Sequence, residues 1–408
     1  MNRREFLKTA AAVAALIALG GCKKEAKTSE KKRGTMTCRE FPGIGASISL
    51  LGYGLMRMPK VGNGPEIDKE KGFALIDAAM KGGINYYDTA WFYHDGLSET
   101  FAGEALSRYP RDSYNLASKL PMRLLESGEQ AEEIFNKQLE KCKVDYFDFY
   151  LLHNLNGPLW EKTLHNGAVD FAMTLKGKGK IKRLGFSFHG DNKDFPKILD
   201  YTKWDFVQIQ ANYFDWDNFS KEQYEEATKR GIPVVVMEPL RGGELANNLR
   251  PAAVEVLEEA KPGSTPAQWA FRFIASKPNV LTVLSGMTKM EHLKENLTTF
   301  SPFEPITQEE EQVLAKALQI YKEDGKVPCT GCRYCTPCPA GVAIPDIFKL
   351  YNEYRTKMRK RDAVREYENL GKDAMANACV ECGACLKKCP QSIDIPKELK
   401  RIHKELKG

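Results

Sequence analysis

The chain lacks any apolar run long enough to cross a bilayer. Its extended apolar stretch, Ala10 to Leu19, holds ten residues, whereas a helix spanning ~30 Å of hydrocarbon needs about 20. Strong charge of one sign is also missing. Sixty basic and 54 acidic residues leave +6, too mild a balance to mark a nucleic-acid surface, so no nucleic-acid partner is expected. No Gly-x-Gly-x-x-Gly turn follows an early strand: Gly52-x-Gly54 lacks the third glycine and the helix start. That argues against a doubly wound dinucleotide fold. Cysteine is almost absent before residue 329, with only Cys22, Cys38 and Cys142.

The remaining eight cysteines fall in the last eighty residues, in two runs. Cys329, Cys332, Cys335 and Cys338 precede Pro339, and Cys379, Cys382, Cys385 and Cys389 precede Pro390. Such spacing reads as two 4Fe–4S clusters, in which three thiolates of one run hold a cluster and the fourth comes from the Cys-Pro of the other. The expected sets are therefore Cys329, Cys332, Cys335 with Cys389, and Cys379, Cys382, Cys385 with Cys338. The second run has the full bacterial spacing. The first has two residues, not three, before its last cysteine, which leaves the exchange of Cys338 open. Two four-cysteine zinc sites would use the same residues, although zinc ribbons join pairs from distant knuckles. Disulfides within runs this short would be strained.

The N-terminus has the layout of a targeting segment: Arg3-Arg4, the apolar stretch, then Leu19-Gly20-Gly21-Cys22. The paired arginines resemble a twin-arginine export signal, and the last four residues resemble a lipoprotein cleavage box. The resemblance implies passage through the twin-arginine export machinery, a lipid anchor on Cys22, and an exported, membrane-anchored lipoprotein on the extracytoplasmic side of a bacterial membrane. The charged segment from Lys23 to Arg33 reads as a disordered tether.

Between Leu50 and Phe303, short apolar runs alternate with amphipathic stretches. Strands are expected at Ser49–Gly54, Tyr86–Asp88, Asn115–Ser118, Tyr146–Leu152, Arg183–Ser187, Phe206–Gln210, Val234–Met237 and Leu281–Leu284. Helix-like segments are expected between them, one of them near Trp160–Lys176. Eight such units over ~250 residues predict an α/β fold, a (β/α)8 TIM barrel. A small, mainly helical iron–sulfur domain follows it. The expected divisions are a signal at 1–21, a tether at 22–44, the barrel at 45–303, a helical linker at 304–327 and the dicluster domain at 328–408.

Polar residues close several strands: Asp88 ends the second, Lys119 the third and His153 the fourth, with Tyr93 five positions after Asp88. In a barrel these ends meet at one mouth. Tyr87-Asp88-Thr89-Ala90 with Tyr93, Ala117-Ser118-Lys119-Leu120 and Tyr150-Leu151-Leu152-His153-Asn154 together resemble the Asp, Tyr, Lys and His tetrad of the aldo-keto reductases. The resemblance covers about residues 45–303 and implies hydride transfer between a small carbonyl or alcohol substrate and NADP or NAD. A free phenol has a pKa of ~10, and a nearby ammonium lowers it, so Lys119 is expected to bring Tyr93 down while Asp88 fixes Lys119 and His153 orients the carbonyl. His94, Asp95 and Glu99 read as an exposed loop, with His94 near enough to Tyr93 to touch substrate. Tyr213, Phe214 and Trp216 suit either an apolar substrate or a loop core.

By the same resemblance, Ser187 and Gln208 would hold a nicotinamide carboxamide, Met237 would take the ring-stacking position, Leu240 and Gly242 would pass the pyrophosphate, and Glu295 and Asn296 would meet the adenine. The chain departs from the family at Phe188, Met237, Gly286 and His292, which stand where an Asn, a Tyr and two 2′-phosphate cations are usual. Arg241 or Lys289 could supply the missing charge. As a whole the chain resembles aldo-keto reductases that end in a ferredoxin-like dicluster domain. This implies electron exchange between the barrel and a redox partner protein or membrane electron carrier. Two alternatives are a cofactor-binding redox module without turnover and a plain reductase whose clusters only hold the C-terminus.

Overall fold

The computed structural model describes residues 29–33, 36–322, 325–356 and 358–407. The signal segment, Cys22 and the start of the expected tether lie outside them. Eleven strands are described: β1 (Ser29–Arg33), β2 (Met36–Glu40), β3 (Ser47–Ser49), β4 (Leu51–Gly54), β5 (Tyr86–Asp88), β6 (Asn115–Leu120), β7 (Phe147–Leu155), β8 (Ile181–Phe188), β9 (Phe206–Gln210), β10 (Val234–Met237) and β11 (Val280–Ser285). β4 to β11 close a parallel barrel in which β11 pairs with both β10 and β4. Helices cover its outside, as a (β/α)8 barrel requires.

Each barrel strand overlaps its sequence-derived position, because buried parallel strands read as apolar runs bounded by turns. The helix-like segment expected near Trp160–Lys176 is two helices, Gly157–His165 and Ala168–Gly177. The chain reverses between them at Gly167, whose φ of 68° is left-handed, a conformation glycine adopts without steric penalty.

Part of the span expected as a tether carries ordered backbone. β2 pairs with β1 and β3, and Met36 and Cys38 are fully buried. Phe41, Ile44 and Ile48 pack with Tyr86, Phe149, Phe206 and Leu281 inside the barrel, closing its bottom. Arg39 fastens this plug by donating to the carbonyls of Ala275 at 2.7 Å and Val280 at 2.6 Å. The span expected as a helical linker also packs on the barrel. The helix Gln308–Lys322 contributes Leu314, Ala317 and Tyr321 to the main barrel core.

The C-terminal region has a second core, built on Ile347, Phe348, Tyr351, Tyr367, Leu399 and Ile402. These lie on three helices, Ile344–Thr356, Lys360–Glu368 and Ile395–Lys407. Among the described residues, no helix is long and apolar enough to cross a membrane.

This second domain sits against the C-terminal rim of the barrel. Arg57 donates to the Thr330 carbonyl at 3.0 Å and Arg241 to the Pro328 carbonyl at 2.8 Å. Gln210 and Gln391 exchange amide hydrogen bonds at 2.9 and 2.7 Å. The approach is close at Gly242, where φ is +68° and a Cβ would lie 2.0 Å from the Thr330 carbonyl oxygen. Only glycine fits there.

Candidate active site

β5, β6 and β7 deliver Asp88, Lys119 and His153 to the mouth, and a short turn after β5 delivers Tyr93. Lys119 is fully buried, and its Nζ donates to Asp88 Oδ1 at 2.5 Å, the Thr89 carbonyl at 2.8 Å and Tyr93 Oη at 3.2 Å. The His153 ring meets Tyr93 edge-on, with centroids 6.1 Å apart. The four expected residues therefore converge. Two buried atoms among them, Asp88 Oδ2 and His153 Nδ1, have no hydrogen-bond partner among the described residues.

The electrostatics differ from the sequence expectation. Tyr93 is pushed well above 10, not lowered: burial dominates, and Asp88 and Glu238 add to it. Burial likewise raises Asp88 against the opposing pull of Lys119. His153 is held well below 6.5 by burial and by the nearby Lys119, His189 and Arg123, and His189 falls to about 3 for the same kind of reason. The mouth thus presents a neutral phenol and neutral imidazoles.

His94 and Glu99 are not exposed. His94 Nε2 accepts from the Met58 amide and its Nδ1 lies 3.1 Å from the Pro65 carbonyl, so both ring nitrogens serve the fold although the ring borders a cavity. Glu99 is fully buried, taking hydrogen bonds from Ser118 at 2.7 Å and Gln138 at 2.5 Å. Asp95 is exposed as expected. Tyr213 is buried in the core, with Phe214 and Trp216 packed against it, so they do not form a substrate wall.

One cavity of about 540 Å³ runs from Asp88, Tyr93 and His153 across the rim of the barrel. Ser187, Gln208, Met237, Leu240, Gly242, Glu295 and Asn296 all line it. Gln208 keeps a buried, unpartnered Oε1 while its amide nitrogen faces Met237 Sδ at 3.4 Å. An amide oxygen left free beside a soft thioether fits a nicotinamide carboxamide and ring. Arg241 is not available for a phosphate: it is buried, paired with Asp215 and bonded to Pro328. Arg57 takes the space next to Gly286 instead, its Cβ lying 3.0 Å from where a Cβ of that glycine would stand.

The C-terminal domain reaches this cavity. Thr330, Cys332, Tyr334, Pro390 and Gln391 complete its wall; none of these was expected at the site. None of the described cysteines is in a disulfide. Burial pushes Cys329 up to about 12, with Cys332, Cys335 and Cys389 acting in the same direction. Cys385 is raised by burial and, among other groups, by Cys379, Cys338 and Cys382. Cys338, Cys379, Cys382 and Cys385 also line one small cavity. Each run is therefore neighbour to the last cysteine of the other. No group of three described His, Cys, Asp or Glu side chains is placed so as to hold a metal ion.

Residues 50–319 match the model of the aldo/keto reductase family. The chain belongs to this family. Residues 328–393 match a 4Fe–4S dicluster domain, and residues 1–20 match a twin-arginine translocation pathway signal. An uncharacterized oxidoreductase, YqkF, of Bacillus subtilis is 27% identical over 308 residues, covering 68% of this chain and 94% of that protein. The L-galactose dehydrogenase of Arabidopsis thaliana is 23% identical over 295 residues, covering 67% and 91%. An aldo-keto reductase of Klebsiella pneumoniae solved in complex with NADPH shares the fold at a TM-score of 0.56 and 24% identity, covering 68% of this chain and 93% of its own.

As an aldo/keto reductase the protein is an oxidoreductase enzyme with a dicluster domain at its C-terminus. The expected membrane anchorage is corrected: no described helix is long and apolar enough to cross a membrane, and what the signal match supports is export.

Proposed function

We propose that the protein interconverts a carbonyl and an alcohol at Tyr93 and exchanges electrons with its iron–sulfur domain. The observation that carries this reading is that Tyr93, His153 and Cys332 border one cavity. In the reductive direction the neutral phenol of Tyr93 gives its proton to the developing alkoxide. Lys119, tied down by Asp88 and Thr89, is the charge that steadies the phenolate left behind. Neutral His153 donates to the carbonyl oxygen and orients it, so the donors are in place before charge develops. Ser187 and Gln208 would hold the carboxamide of NADP or NAD, which when bound supplies or accepts hydride. Cys329, Cys332, Cys335 and Cys389 would hold one 4Fe–4S cluster, and Cys338, Cys379, Cys382 and Cys385 the other; clusters of this kind pass single electrons, here to or from a redox partner protein. A folded, metal-loaded protein suits twin-arginine export.

The test is an anaerobic titration of purified protein with NADPH and with NADH, followed by visible absorbance. Bleaching of the cluster bands by either nucleotide is expected. Nucleotide bound with no bleaching, together with carbonyl turnover after cluster loss, would leave only a plain reductase.

The charge states also set a pH profile. Tyr93 is raised, so it keeps its proton through neutrality and loses it only on the alkaline side; His153 is lowered, so it does not titrate near 6.5. Carbonyl reduction should hold level from about pH 6 to 10, with no fall below the ordinary phenol value of ~10. An inflection near pH 6.5 in kcat/KM would contradict the neutral His153.

A further inference from the structure

Beside the nicotinamide-side cavity lies a second, wider one on the substrate side of Tyr93 and His153. Its lining is unbalanced in charge: Arg57, Lys60, Arg123 and Arg333 face only Asp95 and Asp346. Arg333 is already paired with Asp346 at 2.6 Å. Arg57 is committed at one nitrogen to the Thr330 carbonyl. Arg123 shares this cavity with His153 and acts on its ring electrostatically. It follows β6 by three residues and is held from two sides. With its amide oxygen turned toward the arginine, Asn154 accepts from Arg123 Nε at 3.1 Å and from Nη2 at 2.6 Å. The Tyr334 ring lies under the guanidinium, 5.4 Å from centroid to Cζ.

These supports come from different domains. Asn154 directly follows His153 and is itself held at φ 64°, while Tyr334 belongs to the first cysteine run. Tyr334 lines both cavities, as do Tyr93 and His153. The guanidinium is thus clamped between the barrel and the iron–sulfur domain, one residue from the side chain that orients the carbonyl. An arginine in this position is pre-ordered for a planar anion, and a guanidinium already sharing two N–H groups matches a single negative charge.

We propose that Arg123, stacked on Tyr334, binds a carboxylate of the substrate, so that the substrate class is short oxo acids or the corresponding hydroxy acids. The substrate class rests on the reaction proposed above; the anion site can be tested apart from it. In reduction, the carbonyl carbon gains a hydride equivalent, two electrons and a proton, from the nicotinamide; the oxygen gains the Tyr93 proton; and the carboxylate on Arg123 is unchanged.

The experiment uses the cluster-loaded full chain. Oxamate, an unreactive stand-in for pyruvate, is titrated by calorimetry, and KM and kcat are measured for pyruvate and for neutral butanone. Arg123→Gln should weaken oxamate and raise the pyruvate KM about 10- to 100-fold, the range for a hydrogen-bonded charge, a larger change than in the KM for butanone. Arg123→Lys should recover part of the loss. Tyr334→Leu, which removes the stacking face, should move pyruvate KM in the same direction by a smaller factor, and it serves if Arg123→Gln fails to fold. Oxamate binding absent from the wild type, unchanged in Arg123→Gln, or lost in parallel with butanone turnover would overturn the assignment. Arg123-dependent oxamate binding without turnover of any carbonyl would remove the proposed reaction and keep the anion site.

Discussion

Replacing Tyr93 by Phe should lower carbonyl turnover about 10²- to 10⁴-fold, the span assigned to a positioned general acid, while iron and sulfide content stay unchanged. The substitution removes one hydroxyl and leaves the ring. Lys119 keeps Asp88 and the Thr89 carbonyl as partners, so no buried ammonium is stranded and the fold should be little altered. The edge contact with His153 also survives, because it needs only the ring. Steady-state rates beside iron analysis and visible absorbance make the check. A variant with near-wild-type turnover would move the proton donor elsewhere and end the role given to Tyr93. Loss of clusters in the same variant would show that the change had acted through the domain interface instead.

A larger structural effect is expected at Arg241. Its guanidinium pairs with Asp215, both side chains almost wholly buried, and donates to the Pro328 carbonyl where the second domain begins. Asp215 also takes hydrogen bonds from Gln210 and Asn212, each at 2.8 Å. Arg241→Met would leave that carboxylate with two neutral donors and no charge partner. Breaking a buried pair from one side usually destabilises by about 3–5 kcal/mol. A drop of that order in the urea midpoint analysis is expected, with faster proteolysis between residues 322 and 330. Asp215→Asn added to Arg241→Met should recover much of the loss, since the stranded charge is then gone. If the single variant is as stable as the wild type, the pair does not fasten the two domains.

Much of the barrel could be read in advance, because its strands are buried on both faces and its helices keep one apolar side. The tetrad was legible for a related reason. Asp88, Lys119 and His153 stand at strand ends, and barrel topology converts strand ends into neighbours. What escaped the reading depends on contacts across long stretches of chain. Nothing near Cys38 announces that Phe41 and Ile44 fill the barrel floor. Glu99 looks like a surface carboxylate until Ser118 and Gln138 are brought to it by β6 and the helix Gly128–Cys142. The sign of the Tyr93 shift does not show in the sequence, which places the ammonium of Lys119 near the phenol but not the depth at which burial outweighs it. The contribution of the cysteine domain was missed most completely. Thr330 meets Gly242 across nearly ninety positions, and the only local hint was a glycine pair, Gly242-Gly243, with no evident turn to make. Tyr334 sits inside a metal-binding run, where an aromatic reads as packing for a cluster and not as part of a neighbouring mouth.

The wall supplied by Thr330, Cys332, Tyr334 and Gln391 has a consequence for biogenesis. These residues follow every barrel strand in the sequence and so leave the ribosome after them. The barrel can close its ladder of strands earlier, but its reaction chamber stays open on one side until the cysteine-bearing segment has been made and seated. Competence therefore arrives after the barrel itself, so that a product cut short before residue 330 would keep the tetrad and still lack the chamber around it.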